Sequence, residues 1–391
     1  MKGINLDLVN RFVLHKQHLA DDSRTDDIVR IVKDVSGLHA TSPKTPYLSV
    51  FSRTNDFKRD RLDEELYVKR SLGKVRCMRK TVYILPKALI PVALSATRMM
   101  VELTSERYSR YLGVSEREYS ETSKLVLRVL KGEGMTANEI RKALGTELNI
   151  SAILNLMCDQ GLLIRGNPRG GWKSNIHTYH LFNDYFPDID LNKLGEERAT
   201  VLLVQHYLRS FGPVTENDIV WWTGLNRTRI QEALRKIREE TVLVRIGAFE
   251  DDFIMLTSDK ALIEEINLPG EQAVNVLPGL DPYLMGFKER QRYLDYENYE
   301  RVFDRSGNVT STILLDGRVA GVWDFADDGE PLVKIFLFGE VEESVLNEIY
   351  LKAQDIGRFI ADKEVEIREC DSMIPLTRRT AGGVMSPLRG C

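Results

Sequence analysis

Two stretches of this 391-residue chain align without a gap: MTANEIRKALG, Met135 to Gly145, and VTENDIVWWTG, Val214 to Gly224. In each, a threonine (Thr136, Thr215) stands three residues before an acid (Glu139, Asp218). At that spacing the two side chains satisfy the orphan N–H groups of a helix start. In each, a glycine nine residues after the threonine (Gly145, Gly224) gives a stop that tolerates positive φ. Aspartate is a weaker partner than glutamate, so the second box reads as the looser one. Helical stretches precede both copies, SETSKLVLRVLKGEG and GEERATVLLVQHYLRSFGP. After both comes a buried-face stripe, Ile150, Ile153, Leu154 and Met157 in one, Ile230, Ala233, Leu234 and Ile237 in the other. A short apolar strand closes each. Helix, capped short helix, helix, strand is the order of a winged helix-turn-helix, and its repetition limits the folds open to the chain.

The strand after the first copy leads into LLIRGNPRGGWKSNIHTYHLF. Gly166, Gly170 and Gly171 allow a hairpin tip there, while Arg165, Arg169 and Lys173 charge it. A phosphate loop of the Walker kind needs lysine directly after glycine, and Trp172 intervenes. Two readings of the hairpin stay open: a basic wing on phosphates, or a solvated turn. A third, looser copy opens the chain. NLDLVNRFVLHKQHL, DDIVRIVKDVSGLH, PYLSVFSR and RLDEELYVKRSL read as helices, and KVRCMRKTVYIL as a strand pair, without the capping box. The C-terminal third is β-rich, with LLDGRVAGVW a hairpin, ESVLNEIYLKAQDIGRFIADK an amphipathic helix packed on it, and TRRTAGGVMSPLRGC a mobile, mildly basic tail.

Length alone calls for two to four modules. No apolar run reaches the roughly 18 residues of a membrane span, and the N-terminus lacks the pattern of a secretory signal, so the expected location is cytoplasmic and away from membranes. Cys77, Cys158, Cys370 and Cys391 are scattered, which argues against a disulfide framework and a cysteine zinc site. No metal and no cofactor is expected. Net charge is −4, but KRSLGKVRCMRK carries Lys69, Arg70, Lys74, Arg76, Arg79 and Lys80 without an acid. Such segregation makes either a basic binding face or merely a solvated, strand-rich surface.

GLHATSPKTP sets an imidazole, His39, and a hydroxyl, Thr41, on one tight corner between helices. The pair either bonds local backbone at a helix end or holds a water ready to react. Several stretches together, GLHATSPKTPYLSVFSR, VRCMRKTVYILP, HYLRSFGPVTENDIVWWTGL, LPGLDPYLMGFKERQRYL and LLDGRVAGVW, resemble the bacterial winged-helix DNA glycosylases of the AlkZ/YcaQ type. The resemblance runs over nearly the whole chain in order. It implies an α+β protein with three tandem winged helix-turn-helix modules around a concave channel, plus a C-terminal β-rich, barrel-like domain. The boundaries drawn are 1–118, 119–192, 193–268 and 269–375, with the tail at 376–391. It also implies a monomer acting on double-stranded DNA as a base-excision repair hydrolase, excising bulky N-alkylated purines and unhooking interstrand crosslinks.

The family's catalytic motif is glutamine, an apolar residue, then glutamine or aspartate. His39 stands at its first polar position and Thr41 at its second, with Ala40 between, so both polar identities depart from it. An N7- or N3-alkylated purine is already a good leaving group. What remains is a water aimed at the sugar carbon and support for an oxocarbenium-like state. Neutral His39 suits the water; protonated His39 would repel the cation, so activity should be lost at acid pH. Asp281 is a candidate for electrostatic support, and pairing with Arg290 or shaping the turn before Pro282 is its structural alternative. Candidate DNA contacts are Arg53, Arg76, Arg79 and Lys80 in the first module, Arg165, Arg169 and Lys173 on the wing, and Arg227 and Arg229 at a recognition helix. Trp221 and Trp222 are either a base platform or, for at least one, core. A non-catalytic DNA-binding regulator or lesion sensor, and a protein scaffold, are the competing readings.

Overall fold

Residues 3–247, 249–265, 272–327, 329–378 and 387–391 are described by a computed structural model. The chain opens with α1 (Leu6–Lys16) and α2 (Ile28–Asp34), started by the side chains of Asn5 and Asp27. Next come β1 (Leu38–His39), α3 (Thr45–Phe51), and α4 (Arg59–Asp63), which runs into a π-turn over Glu64–Val68. Pro46 fits the first turn of α3 because its missing N–H is an orphan there anyway. Strands β2 (Leu72–Arg76) and β3 (Val82–Pro86) follow, joined by a turn whose Arg79 and Lys80 both take positive φ, 51° and 60°. The long helix α5 (Ile90–Tyr111) then runs through the middle of the chain. Its buried side includes Ala93, Ala96, Thr97, Ser105 and Ser109, small residues that hide its stripe from a search for large apolar ones.

The repeated stretch forms α6 (Glu116–Val129), β4 (Met135–Thr136), α7 (Ala137–Leu144), α8 (Ile150–Asp159), β5 (Leu163–Pro168) and β6 (His177–Leu181). After the short α9 (Phe182–Tyr185), the second copy gives α10 (Glu196–Phe211), α11 (Glu216–Thr223), α12 (Arg227–Lys236), β7 (Thr241–Val244) and β8 (Phe253–Leu256), followed by α13 (Thr257–Glu265). Both capping boxes close, and both glycines end their helices in the left-handed region, at φ 58° and 73°. The aspartate box is the more deeply built of the two. Asp218 is fully buried; it accepts from the backbone and hydroxyl of Thr215 and, across the molecule, from Lys288 N at 2.7 Å and Glu289 N at 2.9 Å. Its carboxylate therefore ties α11 to the C-terminal third.

Strand order explains how the site is placed. The first and second segments share one six-stranded sheet, β1-β3-β2-β5-β6-β4, joined where Lys74 on β2 opposes Arg165 on β5. Side chains alternate across a strand, so register decides the face. Leu38, Ile84, Lys74, Arg165 and Tyr179 oppose one another in one row; His39, Tyr83 and Val75 stand in the next and point to the other side. In the third segment β7 pairs with β8, and Val214 bridges to Ile254 at the position β1 and β4 hold elsewhere.

The last third contains β9 (Val274–Leu277), α14 (Pro282–Met285), α15 (Tyr299–Val302), β10 (Thr312–Leu315), β11 (Arg318–Ala326), β12 (Leu332–Leu337), α16 (Glu343–Ala361) and β13 (Glu366–Glu369). The Asp-Gly hairpin forms as expected, with Asp316 and Gly317 at φ 49° and 79°. The barrel does not. Among the described residues the sheet is open, ordered β13-β12-β11-β10-β9, and α16 covers it with Val345, Ile349, Ala353 and Ile356. The expected boundary at 268 and the middle of the expected tail lie outside the described residues. What is described of the tail is held: Leu388–Arg389 pairs with Ser372–Met373, and Cys391 is disulfide-bonded to Cys370, a pairing that the scattered cysteines did not suggest.

Candidate active site and nucleic-acid interface

The His39 corner is shaped by backbone. Ser36 and Gly37, after α2, both take positive φ (54° and 103°), and a Cβ on Gly37 would lie 2.5 Å from a Leu85 methyl. Ala40 N then donates to Val82 O, extending the β1–β3 ladder by one bond. Because His39 is in register with Tyr83, its ring turns to the inner face of the sheet, where Tyr83 meets Trp222 at 6.4 Å. His39 Nε2 lies 2.9 Å from the Tyr83 hydroxyl, and the rings are 4.3 Å apart.

This differs from the expectation of a histidine and a hydroxyl presented together on one corner to hold a water. His39 is 2 % exposed and Tyr83 1 %, whereas Thr41, two residues on, is exposed. Burial, reinforced by the nearby charge of Arg79, holds the imidazole down to about 3, so it stays neutral at any working pH. The expected loss of activity at acid pH does not then follow from His39 protonation at mildly acid pH. Burial also pushes the Tyr83 hydroxyl well above its ordinary value, so it remains protonated.

Several of the expected cationic contacts are already engaged. Arg53 is fully buried and forms a two-pronged ion pair with Asp281, at 2.8 and 2.7 Å, while also donating to Ser49 O. Neither Arg53 nor Asp281 is available to DNA or to a reacting cation. Asp281 does shape its turn, by capping Tyr283 N, but its partner is Arg53 and not Arg290. Arg165 points inward from β5 to Asn155, 6 % exposed, instead of charging the wing tip. Arg76 binds Asp159 and Ser105; Arg229 binds Glu196, Thr200 and Ala96 O; and Arg227 binds Glu216 and Asn217. Lys80, Arg169 and Lys173 are exposed.

The wing tip is anchored by Trp172, whose ring meets Tyr47 at 5.3 Å and Phe359 at 5.7 Å, with the Arg59 guanidinium 4.4 Å over it. Trp222 is core, packed on Tyr207 and Phe211. Trp221 is partly buried and carries the Arg79 guanidinium 3.8 Å above its ring.

The profile of the DNA glycosylase AlkZ-like family matches residues 32–359. The chain belongs to that family. Its match includes the His39 corner and the three helix–strand segments except residues 1–31, which hold α1 and the first half of α2. Among curated proteins, the interstrand DNA cross-link repair glycosylase of Streptomyces sahachiroi is 24 % identical over 314 residues, covering 76 % of this chain and 81 % of that protein. The solved structure of Streptomyces sahachiroi DNA glycosylase AlkZ superposes with a TM-score of 0.76 at 20 % identity, over 94 % of this chain and 100 % of that one. At that identity the superposition speaks for the fold. Among the described residues of this AlkZ-like chain, no three His, Cys, Asp or Glu side chains gather to hold a metal, and no helix is long and apolar enough to cross a membrane.

Sequence reasoning missed Tyr83 as the partner of His39. The signal was available only as register, because the two residues are 44 positions apart and meet through strand pairing. His177 was likewise passed over and Lys74 was read only as part of a basic stretch; both lie with Arg165 on the other face of the same sheet.

Proposed function

We propose that this chain binds damaged duplex DNA through three winged helix-turn-helix modules around a concave channel, and hydrolyses the N-glycosidic bond of bulky alkylated purines, interstrand crosslinks among them. The modules end near residues 118, 192 and 268. Membership of the AlkZ-like family, with the match spanning the His39-Ala40-Thr41 corner, carries the reading. The recurring order of helix, short strand, two helices and strand pair supports the modules, and the crosslink-repair name of the Streptomyces sahachiroi relative supports the crosslink substrate.

In the reaction, a water oxygen bonds to the sugar C1′ as the C1′–N bond breaks and its electron pair returns to the purine, and the water gives up one proton, to His39 or to solvent. The alkylated base leaves neutral, so no acid is required. Thr41 supplies an exposed hydroxyl to hold the water. Neutral His39 adds no repulsion to the oxocarbenium-like state. For His39 to receive the proton, its own must sit on Nε2 and be donated to the Tyr83 oxygen, leaving Nδ1 as acceptor. In the opposite tautomer Tyr83 donates, and the imidazole can offer only an N–H.

A second reading, lesion binding without chemistry, is favoured by one observation: His39 is almost wholly enclosed. Duplex carrying N7-alkylguanine separates the two. Base release by the wild type that falls at least tenfold in Thr41→Ala and His39→Ala supports the hydrolase. Tight binding with no release leaves the lesion binder, and absence of salt-sensitive duplex binding removes both.

A further inference from the structure

The inner join of the shared sheet holds an unusual arrangement. Lys74 and Arg165 are direct cross-strand partners on one face, 8 % and 6 % exposed. Like charges placed opposite each other repel, and burying each costs hydration. Among the described residues neither forms an ion pair, although Asp63 pulls on Lys74 and Asp159 on Arg165 from beyond contact distance. Lys74 Nζ donates to the Tyr67 hydroxyl at 2.6 Å, and one arm of Arg165 donates to Asn155 at 2.7 Å. The other arm, Nη1, is buried without a partner, and so is Nδ1 of His177, which stands where β6 leaves the wing.

The acids acting on them make their own contacts elsewhere, though Asp159 Oδ1 is itself buried without a partner. Asp63 takes the Tyr47 hydroxyl at 2.5 Å, and Asp159 is shared by Arg76 and Ser105. The cations make themselves felt on their surroundings. Burial first, then Lys74 and Arg165, hold His177 down to about 4, and burial together with Arg165 lowers Lys74 to about 8 despite the opposing pull of Asp63. A buried donor without an acceptor is costly, and native proteins keep few of them. Two in one cluster, beside a buried pair of like charges, match the donors that bind an anion.

We propose that Lys74, Arg165 and His177 form a phosphate-binding site at the junction of the first and second segments. A phosphate oxygen takes the free Arg165 Nη1, a second takes the Lys74 ammonium, and the His177 Nδ1–H completes the set. The phosphate is either one of the DNA backbone or a free one; the chemistry is shared. Arg165, assigned from its sequence to the outer surface of the wing, belongs instead to this inner site.

Two arms of one experiment test the site. In the first, melting of the full-length protein is followed in sodium phosphate and in sodium chloride at matched ionic strength. The wild type should melt higher in phosphate, and Lys74→Met and Arg165→Gln should lose the difference. Lys74→Met should also melt no lower than wild type in chloride, because it removes a buried like-charge pair. In the second arm, binding to undamaged duplex is measured across salt. Loss of about tenfold in affinity in Lys74→Met, with a slope smaller by about 0.9, assigns the phosphate to DNA. Unchanged duplex binding alongside a lost phosphate effect assigns it to a free anion. Equal wild-type melting in the two salts, with Lys74→Met and Arg165→Gln binding duplex as wild type does, overturns the proposal. Only the duplex arm rests on the DNA-binding reading; a wild type that binds no duplex yet melts higher in phosphate would sink that reading and spare the site.

Discussion

Tyr83 and His39 are locked together across β1 and β3, hydroxyl to Nε2 at 2.9 Å, both enclosed on the inner face of the sheet. Burial there, with the nearby charge of Arg79, fixes the charge state of the one titratable group in the candidate catalytic corner. A histidine held neutral to about pH 3 leaves the folded protein with fewer bound protons than the unfolded chain, whose histidine titrates near 6.5. Stability from this group is therefore complete above pH 6.5 and is lost as pH falls toward 3, at about 1.4 kcal/mol per pH unit. His177 and His206, both held down to about 4 mainly by burial, act in the same direction. Urea midpoints measured from pH 4.5 to 7.5 should rise with pH, and His39→Gln should flatten that slope by about one proton's worth. Base release, measured over pH 5 to 8 where the fold persists, should show no step from His39.

Tyr83→Phe gives a separate outcome. Removing the hydroxyl leaves Nε2 without its partner, and the imidazole is no longer held to one tautomer. If His39 accepts the proton through Nδ1, kcat for base release should fall several-fold with KM unchanged. Nitrogen NMR of the ring should report a mixture of tautomers in the variant and one in the wild type. Unchanged kcat with a clear tautomer shift would remove His39 from the proton path.

Arg53 and Asp281 show how a plausible surface reading fails. By sequence, Arg53 ends an amphipathic helix beside other basic residues, and nothing local reveals that a carboxylate 228 positions away will seal it. The pair is fully enclosed, so deleting one partner strands a buried charge. Asp281→Ala should cost about 3–5 kcal/mol in chemical denaturation, and Arg53→Met should cost a comparable amount. The double variant Arg53→Met/Asp281→Leu should recover much of that loss. A surface role would instead show as weakened DNA binding with the melting temperature intact.

Local patterns were legible and long-range ones were not. The capping boxes, their glycine stops, the Asp-Gly hairpin and the final helix could all be read because each depends on neighbours within a few positions. The shared sheet, the Tyr83 and Asp281 partners and the Cys370–Cys391 bond come from chain segments far apart in sequence, which periodicity cannot align. The open C-terminal sheet was missed for a further reason. Alternation and turns specify strands, but closure depends on whether the edge strands meet, and here β13 joins parallel to β12 beyond α16.

The two capping boxes should differ sharply in energetic weight, in the reverse of the order their side-chain lengths imply. Glu139 itself is exposed where it closes its box on Thr136, so water can replace its carboxylate and Glu139→Ala should destabilise only modestly. Asp218 is buried and also receives Lys288 N and Glu289 N. Asp218→Ala therefore orphans several buried donors, and should cost about 3 kcal/mol or more in denaturant unfolding. Asp218→Glu should also destabilise, since the longer side chain cannot keep both sets of bonds. Equal effects at positions 139 and 218 would mean that the link from α11 to the C-terminal third is not formed.

Exposure separates the cations that DNA can use from those that the fold has already engaged. Lys80, Arg169 and Lys173 are open to solvent, whereas Arg76 and Arg229 are held by Asp159 and Glu196. Each phosphate contact removed lowers the slope of log affinity against log salt by about 0.9. Lys80→Gln, Arg169→Gln and Lys173→Gln should each weaken duplex binding with a shallower slope and an unchanged melting temperature. Arg229→Gln should do the opposite, lowering the melting temperature through loss of its bonds to Glu196, Thr200 and Ala96 O while leaving the slope as it was. Fluorescence polarisation across a salt series, run beside thermal melts on the same preparations, distinguishes the two patterns, and a uniform slope across all four variants would place the duplex on a different face.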